Sequence, residues 1–329
     1  MAKYKVVIVP KIHEDGIKLL EPIAEVVITE KYESEDALIE LCRDADAVII
    51  TRGMIPFTRR AIEASPKLKI IARVGVGYDN VDVEAATEHG IWVTIAPVNA
   101  PSVAEHAIAL LLALSKKLLL RDKRIRDGTW YYERRDPTEL MGVDVYGKTL
   151  GVIGLGRVGK EVAIRAKCFG MRVVYYSITR KEDLEKSLGL EYKPLDELLK
   201  ESDFVSLHVP LTRGTYHMIG ERELKLMKNT AYLINMARGA VVDTNALIKA
   251  LKEGWIAGAA LDVFEEEPLP PNHPLTKLDN VILTPHVADY TYDCTRRLAI
   301  TAAEEVLRVL RGDKPLYRVN LKYIKPKSI

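Results

Sequence analysis

No run of apolar residues in this chain is long enough to cross a bilayer. The most apolar stretch, Ala104–Leu114, is short and carries Glu105 and His106 near its start, whereas a spanning helix needs about 20 apolar residues. Cysteine is scarce. Cys42, Cys168 and Cys294 lie far apart, with neither zinc-site spacing nor a pairing pattern. A metal centre and a disulfide-stapled fold are therefore unexpected, and a reducing cytoplasm is the expected compartment. Neither sign of charge dominates: 48 Lys and Arg against 46 Asp and Glu leave a formal net charge of +2. Bulk electrostatics thus argue against a nucleic-acid or membrane partner. The start, Met-Ala-Lys-Tyr-Lys-Val-Val-Ile-Val-Pro, enters a strand-like run without the layout of a signal peptide. Internal repeats and low-complexity segments are also missing.

What is present is ordinary globular chemistry, 48% hydrophobic and 29% charged over 329 residues, enough for two domains. The first hundred residues alternate short β-branched runs (Lys5–Val9, Glu25–Thr29, Ala47–Ile50, Lys69–Val74, Ile91–Ile95) with amphipathic stretches (Glu14–Leu20, Ser34–Cys42, Thr58–Ala64, Val83–His89). That alternation predicts a parallel sheet covered by helices. Pro97-Val-Asn-Ala-Pro101 is a rigid connector, and Ser102-Val-Ala-Glu105 reads as a capping box opening a helix to about Leu120. A second alternation starts at Lys148. Its predicted strands are Thr149–Ile153, Arg172–Tyr176, Phe204–Val209, Ala231–Asn235, Ala259–Val263 and Val281–Leu283. Helices are predicted between them at Val158–Phe169, Lys181–Leu188, Leu195–Glu201 and Thr244–Glu253. A last helix, about Tyr292–Arg311, and the basic tail Tyr317–Ile329 are expected to return to the first domain. The fold class is α/β, with two doubly wound parallel-sheet domains. A Rossmann cofactor domain, 102–287, is inserted into a flavodoxin-like substrate domain made of 1–101 and 288–329.

The insertion opens on Gly154-Leu155-Gly156-Arg157-Val158-Gly159, directly after a strand pattern and before a helix pattern. In that context G-x-G-x-x-G is a dinucleotide turn. The first Gly permits the bend, the second lets the backbone approach a pyrophosphate, and the third lets helix and strand pack closely. Three further features follow later strands, where ligands bind in open α/β sheets. Asn235-Met236-Ala237-Arg238-Gly239 offers an arginine that can hold a carboxylate through paired hydrogen bonds; a lone arginine there is also an ordinary exposed strand end. Leu261-Asp262-Val263-Phe264-Glu265-Glu266-Glu267-Pro268 is acidic, as solvated loops commonly are. Thr284-Pro285-His286 holds a histidine in a backbone fixed by proline, although single histidines are more often structural. Together they supply an anion clamp, a carboxylate and an imidazole beside a nucleotide site. Reduction of a ketone by a nicotinamide needs those parts, the carboxylate stabilising the charged imidazole.

On these residues the chain resembles the D-isomer-specific 2-hydroxyacid dehydrogenases, the family of glyoxylate/hydroxypyruvate reductases and phosphoglycerate dehydrogenase. The resemblance spans nearly the whole chain. It also rests on Arg73-Val-Gly75-Val76-Gly77-Tyr-Asp79-Asn80-Val-Asp82, Ser102-Val-Ala-Glu105-His106 and His208-Val209-Pro210-Leu-Thr212. It implies Arg238, Glu267 and His286 as the catalytic set. It implies that backbone N–H groups near Val76 and Gly77, after Gly75, grip the substrate carboxylate; Arg52-Gly53 occupies another place that commonly faces substrate. Asp262 would hold the nicotinamide carboxamide, and Pro210 and Thr215 would lie near the adenosine half. Leu155, Arg157, Val158, Val209, Met236, Ala237 and Ala288 complete the implied cofactor contacts.

Two departures from the family pattern stand out. Where NAD-preferring members carry an Asp after the second cofactor strand, this chain has Ser177, in Tyr-Tyr-Ser177-Ile-Thr179-Arg180. Ser177, Thr179 and Arg180 can instead bind a 2′-phosphate, so NADP is the expected preference and NAD remains usable. After the histidine, Asp289 places a negative charge near a site for anionic substrates unless it turns away or pairs. The expected activity is reduction of a small 2-oxo acid to the D-2-hydroxy acid. Alternatives are 3-phosphoglycerate dehydrogenase and, from another class, a nucleotide-sensing corepressor-like binding protein. The resemblance also implies a homodimer, built on the Ala104–Leu114 helix and the Trp130 region. The two-domain organisation predicts closure over the substrate, hinged near Pro97–Ser102 and His286–Tyr292.

Overall fold

The structure, a computed structural model, describes residues 3–30, 34–51, 55–132 and 138–320. The chain divides into two compact units, one made of Met1–Asn99 and Asp289–Ile329, the other of Ala100–Ala288. In the first unit the order is β1 (Tyr4–Val9), α1 (Glu14–Leu20), β2 (Ala24–Ile28), α2 (Glu35–Cys42), β3 (Ala47–Ile50), α3 (Arg59–Glu63), β4 (Ile70–Arg73), α4 (Val83–Glu88) and β5 (Trp92–Thr94). The five strands are all parallel in the order β2-β1-β3-β4-β5. Residues Ala47–Ile50 and Ile70–Arg73 are buried throughout, as expected of parallel strands covered on both faces.

In the second unit α5 (Ala100–Ser115), α6 (Leu118–Arg126) and α7 (Thr129–Tyr132) come first. There follow β6 (Thr149–Ile153), α8 (Arg157–Cys168), β7 (Arg172–Tyr176), α9 (Glu182–Leu188), β8 (Glu191–Tyr192), α10 (Leu195–Glu201) and β9 (Phe204–Leu207). The unit closes with α11 (Glu221–Leu226), β10 (Tyr232–Asn235), α12 (Thr244–Lys252), β11 (Gly258–Leu261) and β12 (Val281–Leu283). The parallel sheet runs β12-β11-β10-β9-β6-β7-β8. Its strand order reverses between β6 and β9, the switch point at which doubly wound sheets bind nucleotides. Both sheets are therefore the doubly wound parallel kind that the sequence predicts.

The long helix α13 (Tyr292–Leu310) belongs to the first unit and packs on α1, burying Leu298, Ala299, Ala302, Ala303 and Val306 in that unit's core. Beyond it, Val319 donates to the Val93 carbonyl at 2.7 Å and Ile95 to Tyr317 at 3.0 Å, with an antiparallel bridge between Thr94 and Arg318. The tail thereby covers the open edge of β5, a place where unpaired strand groups would otherwise face solvent. Residues 321–329 of that tail lie outside the described residues.

Two sequence expectations need correction. Helix α5 starts at Ala100, so Ser102 is buried inside it and does not cap it. Pro101 explains the earlier start, because a proline in the first turn gives up only an N–H that no helix carbonyl would accept. The helix also stops at Ser115 and not near Leu120: Lys117 takes a left-handed conformation, φ 49, and α6 begins after it. Among the described residues no helix is long and apolar enough to cross a membrane.

Candidate active site

The glycine turn follows β6. Gly154 has φ 97, and a side chain there would meet the His208 carbonyl at 2.8 Å. A Cβ at Gly159 would lie 2.1 Å from the Gly154 oxygen, so the third glycine lets α8 pack against the turn. Gly156 is different. It is the N-cap of the 12-residue α8, no side chain caps the helix there, and nothing stands within 4 Å of where its Cβ would be. Uncapped first-turn N–H groups, the positive end of the helix dipole and an open approach make an anion site. Leu155 is buried beneath the turn, Arg157 is exposed and Val158 is half-buried.

At the end of β7 no carboxylate appears. Ser177 is half-buried, while Thr179 and Arg180 are exposed. Arg180 is already engaged: its Nε and Nη2 donate to the two oxygens of Glu185, each at 2.8 Å. The Tyr175 hydroxyl donates to the same carboxylate at 2.7 Å and accepts from the Lys181 N–H. The Arg180 fork holds the Glu185 carboxyl down to about 2, and burial pushes the Tyr175 phenol up to about 12. After β9, Val209 is half-buried and Pro210 exposed. The Thr215 hydroxyl closes this turn by donating to the Pro210 carbonyl at 2.6 Å and accepting from the Thr212 N–H at 2.8 Å. Beside it the His208 ring bonds the Ser206 hydroxyl through Nε2 at 2.8 Å, leaves Nδ1 buried without a partner, and is pushed by burial down to about 3.

The three catalytic candidates sit on turns that follow β10, β11 and β12. Asn235, the buried last residue of β10, builds the first turn: its side-chain oxygen accepts the Ala237 N–H and its amide donates to the Arg238 carbonyl, both at 3.0 Å. Met236 and Ala237 are buried, and Arg238 emerges half-exposed, one Nη1 on the Ala237 carbonyl at 2.8 Å. Gly239 lies so close to the backbone of Phe264 that any Cβ would overlap it, at 1.8 Å from its carbonyl carbon. The arginine turn and the acidic loop are thus locked together. In that loop Glu267 accepts the Phe264 N–H through Oε1 at 3.0 Å and meets His286 Nδ1 through Oε2 at 2.7 Å. With Nδ1 committed to the carboxylate, Nε2 is the ring atom left to exchange a proton.

Asp262, 1% exposed, has both oxygens occupied by Thr284 Oγ1 and the N–H groups of Val287 and Ala288. The structure therefore places it under the histidine turn: Oδ1 accepts from Thr284 Oγ1 and the Val287 N–H, and Oδ2 accepts from the Ala288 N–H and keeps a lone pair for a ligand. Sequence reasoning missed Asn235 and Thr284 as supports of this site. Both stand next to a singled-out residue, but nothing in their spacing says which way they face.

In the first unit the loop after β4 is built on Arg73. This buried arginine donates to the Gly77 carbonyl at 2.9 Å and the Ile50 carbonyl at 3.0 Å. Above it Gly75 has φ 132, and Val76 and Tyr78 are exposed. Asp82 caps α4 through the Ala85 N–H. Asp289 accepts from the Asn99 side chain at 3.0 Å, so its charge is at least partly engaged. The carboxyl ends of β1 and β3 open into a cavity of about 530 Å³ lined by Lys11, His13, Thr51, Val74, Asp289 and Tyr290, among others. Arg52 and Gly53 lie outside the described residues.

Residues 108–288, more than half of the chain, match the family model described as the D-isomer specific 2-hydroxyacid dehydrogenase, NAD binding domain. The chain belongs to this family. A glyoxylate reductase of Pyrococcus horikoshii is 50% identical over 330 residues, covering 98% of each chain. One of Korarchaeum cryptofilum is 48% identical, again over 98% of each. Among solved structures, the NADPH-dependent glyoxylate/hydroxypyruvate reductase of Sinorhizobium meliloti in complex with NADP and malonate is 31% identical. It superposes with a TM-score of 0.85 over 100% of both chains. As a family member this protein is a nicotinamide-dependent oxidoreductase. The open face at Gly156 and the uncapped α8 fit that cofactor's pyrophosphate.

Proposed function

We propose that this dehydrogenase reduces a small 2-oxo acid of the glyoxylate/hydroxypyruvate class to the D-2-hydroxy acid, with NADPH preferred over NADH. The observation that carries the reading is the 2.7 Å contact of Glu267 with His286 Nδ1, next to the arginine turn that Gly239 locks to the same loop. Bound at Gly154–Gly159, the cofactor supplies a hydride to the carbonyl carbon. His286 gives the proton to the carbonyl oxygen from Nε2, and Glu267 holds the ring and stabilises its positive charge before the transfer. Arg238 polarises the carbonyl and pairs with the substrate's charge. The backbone N–H groups of Val76 and Gly77 take the substrate carboxylate. Asp262 offers Oδ2 to the carboxamide, and Met236, Ala237 and Ala288 line the nicotinamide side.

The cofactor preference is supported by Ser177 standing where an acid would repel a 2′-phosphate. Arg180 pairs with Glu185 while 57% of its own side chain is exposed, and such a pair is held weakly enough in water to be shared with a phosphate. A homodimer is supported by exposed Leu118, Leu119, Ile125, Trp130 and Tyr131 on α6 and α7. Helix α5 is a poorer choice than the sequence suggested, since Ala104, Ala107, Ile108, Leu111 and Leu114 are spent in their own unit's core. Cys42, Cys168 and Cys294 form no disulfide, which fits a cytoplasmic location.

Steady-state kinetics with glyoxylate, hydroxypyruvate and 3-phosphohydroxypyruvate, each with NADPH and NADH, test the proposal. The highest kcat/KM is expected for an unphosphorylated acid with NADPH. A clear NADH preference overturns the cofactor reading, and turnover of the phosphorylated acid alone makes the chain a phosphoglycerate dehydrogenase. No turnover with any of them leaves the corepressor-like role.

A further inference from the structure

His286 holds an unusual backbone conformation for a residue with a side chain, φ 56. Left-handed backbone at a non-glycine residue persists only where its surroundings over-determine it. Here the cause is visible. The two amides that follow it, Val287 N–H and Ala288 N–H, converge on the two oxygens of Asp262 at 2.9 and 3.0 Å. A left-handed residue in a turn is one arrangement that lets successive N–H groups point at one anion. The buried carboxylate in effect selects the backbone shape that presents the imidazole.

Asp262 is itself oriented from one side. The Thr284 hydroxyl bonds Oδ1 at 2.6 Å, and His106 Nε2 lies 3.1 Å from the same hydroxyl. A threonine hydroxyl has one proton. Given to the carboxylate, it leaves the oxygen as an acceptor, so His106 must be the donor through Nε2–H. His106 Nε2 is also 3.7 Å from Asp262 Oδ1, which adds a second attraction to the same point. The imidazole belongs to α5, and neighbouring Ala104, Ala107 and Ile108 on that helix are fixed in the core of the same unit. A continuous line of hydrogen bonds therefore runs from a packed helix to the two amides after His286.

We propose that His106 and Thr284, acting through the buried carboxylate of Asp262, are positioning residues that set the backbone conformation of His286. This rests on His286 being the proton donor. Glu267 aims the ring from Nδ1, and the His106–Thr284–Asp262 line sets where the ring starts from. Neither His106 nor Thr284 touches substrate in this role. Their effect is on the rate of the step that uses the imidazole far more than on holding the dinucleotide, whose phosphates bind at the separate Gly154–Gly159 turn.

The test measures kcat for glyoxylate reduction and the NADPH Kd by fluorescence titration, on the full chain. Thr284→Val, which keeps the shape and removes the hydroxyl, is expected to lower kcat about tenfold with the NADPH Kd changed by less than about twofold. Thr284→Ser should recover most of the loss. His106→Leu should also lower kcat, and His106→Gln, which returns an N–H near the position of Nε2, should recover it. In a His286→Ala background Thr284→Val should cost nothing more, because the group it positions is gone. An unchanged kcat in Thr284→Val overturns the proposal, as does an equal loss in the His286→Ala background or failure of Thr284→Ser and His106→Gln to rescue. If His286→Ala alone keeps the parent rate, it is the proton-donor reading that fails, and the two failures are read from different variants.

Discussion

The two parallel sheets share one building plan and place different chemistry at their carboxyl ends. In the first unit the end of β4 carries Arg73, buried, with donors turned inward onto the Ile50 and Gly77 carbonyls. What reaches solvent there is the loop that follows, with Val76 and Tyr78 exposed and no charged side chain among residues 74–78. In the second unit the ends of β10, β11 and β12 carry Asn235, Asp262 and Thr284, also turned inward, and each is followed by a side chain turned outward or by a loop that ends in one: Arg238, Glu267 and His286. The polar residue that finishes a strand is the support in both units. The group it supports comes a few residues later, and in one unit that group is an amide while in the other it is an ionisable side chain.

In the second unit, substitutions at the outward groups and at the supports that aim them should therefore strike the rate, whereas in the first unit substitution of the inward Arg73 should strike substrate binding. The largest effect is expected at His286. His286→Ala should lower kcat about a thousandfold while the NADPH Kd, read by fluorescence, stays close to that of the parent; a small loss would erase the contrast between the units. A smaller effect is expected at Arg73. Arg73→Met removes both donors from beneath the Gly75–Gly77 loop and should raise KM for the 2-oxo acid about tenfold, with NADPH affinity unchanged. If kcat fell and KM did not, the loop would be part of the chemistry and not of the grip.

The remaining effect concerns stability in acid and leaves the reaction itself aside. Burial depresses the His208 pKa from 6.5 to about 3, so the unfolded chain binds a proton that the folded chain refuses. The stabilisation is complete above pH 6.5 and is lost as pH falls towards 3, by up to ~1.4 kcal/mol per pH unit. Denaturant midpoints between pH 7 and pH 5 should drop more steeply for the parent than for His208→Gln. Parallel slopes would mean that the ring takes up its proton without unfolding.

Much of this was readable along the chain. Strands such as Thr149–Ile153, Arg172–Tyr176 and Val281–Leu283 were predicted at their observed ends, because parallel strands buried on both faces are written as unbroken β-branched runs. β8, α7 and α11 were missed, being short, and α6 was missed because it buries none of its residues and so has no apolar face to set a period. Ser102 looked like a cap because its pattern was right, and Pro101 moved the helix start past it. At the site, Arg238 and His286 stood out from their place after strands, and Glu267 was picked out of the acidic run by the family resemblance. The 2.7 Å pairing of the last two is a contact across 19 residues that spacing cannot show.

The sequence by itself determined the alternation of strands and helices, the dinucleotide turn and the family, since each is written in local periodicity or in contiguous motifs. Which polar residues turn inward was decided only by the tertiary structure. Asp262 was read as a ligand contact and proves to have three internal donors; Arg180 was read as a phosphate contact and is found on Glu185; His106 was part of a motif without a role and reaches Thr284 from 178 residues away. Hydrogen bonds of that kind depend on where separate strands and helices come together, and a linear pattern holds no record of it.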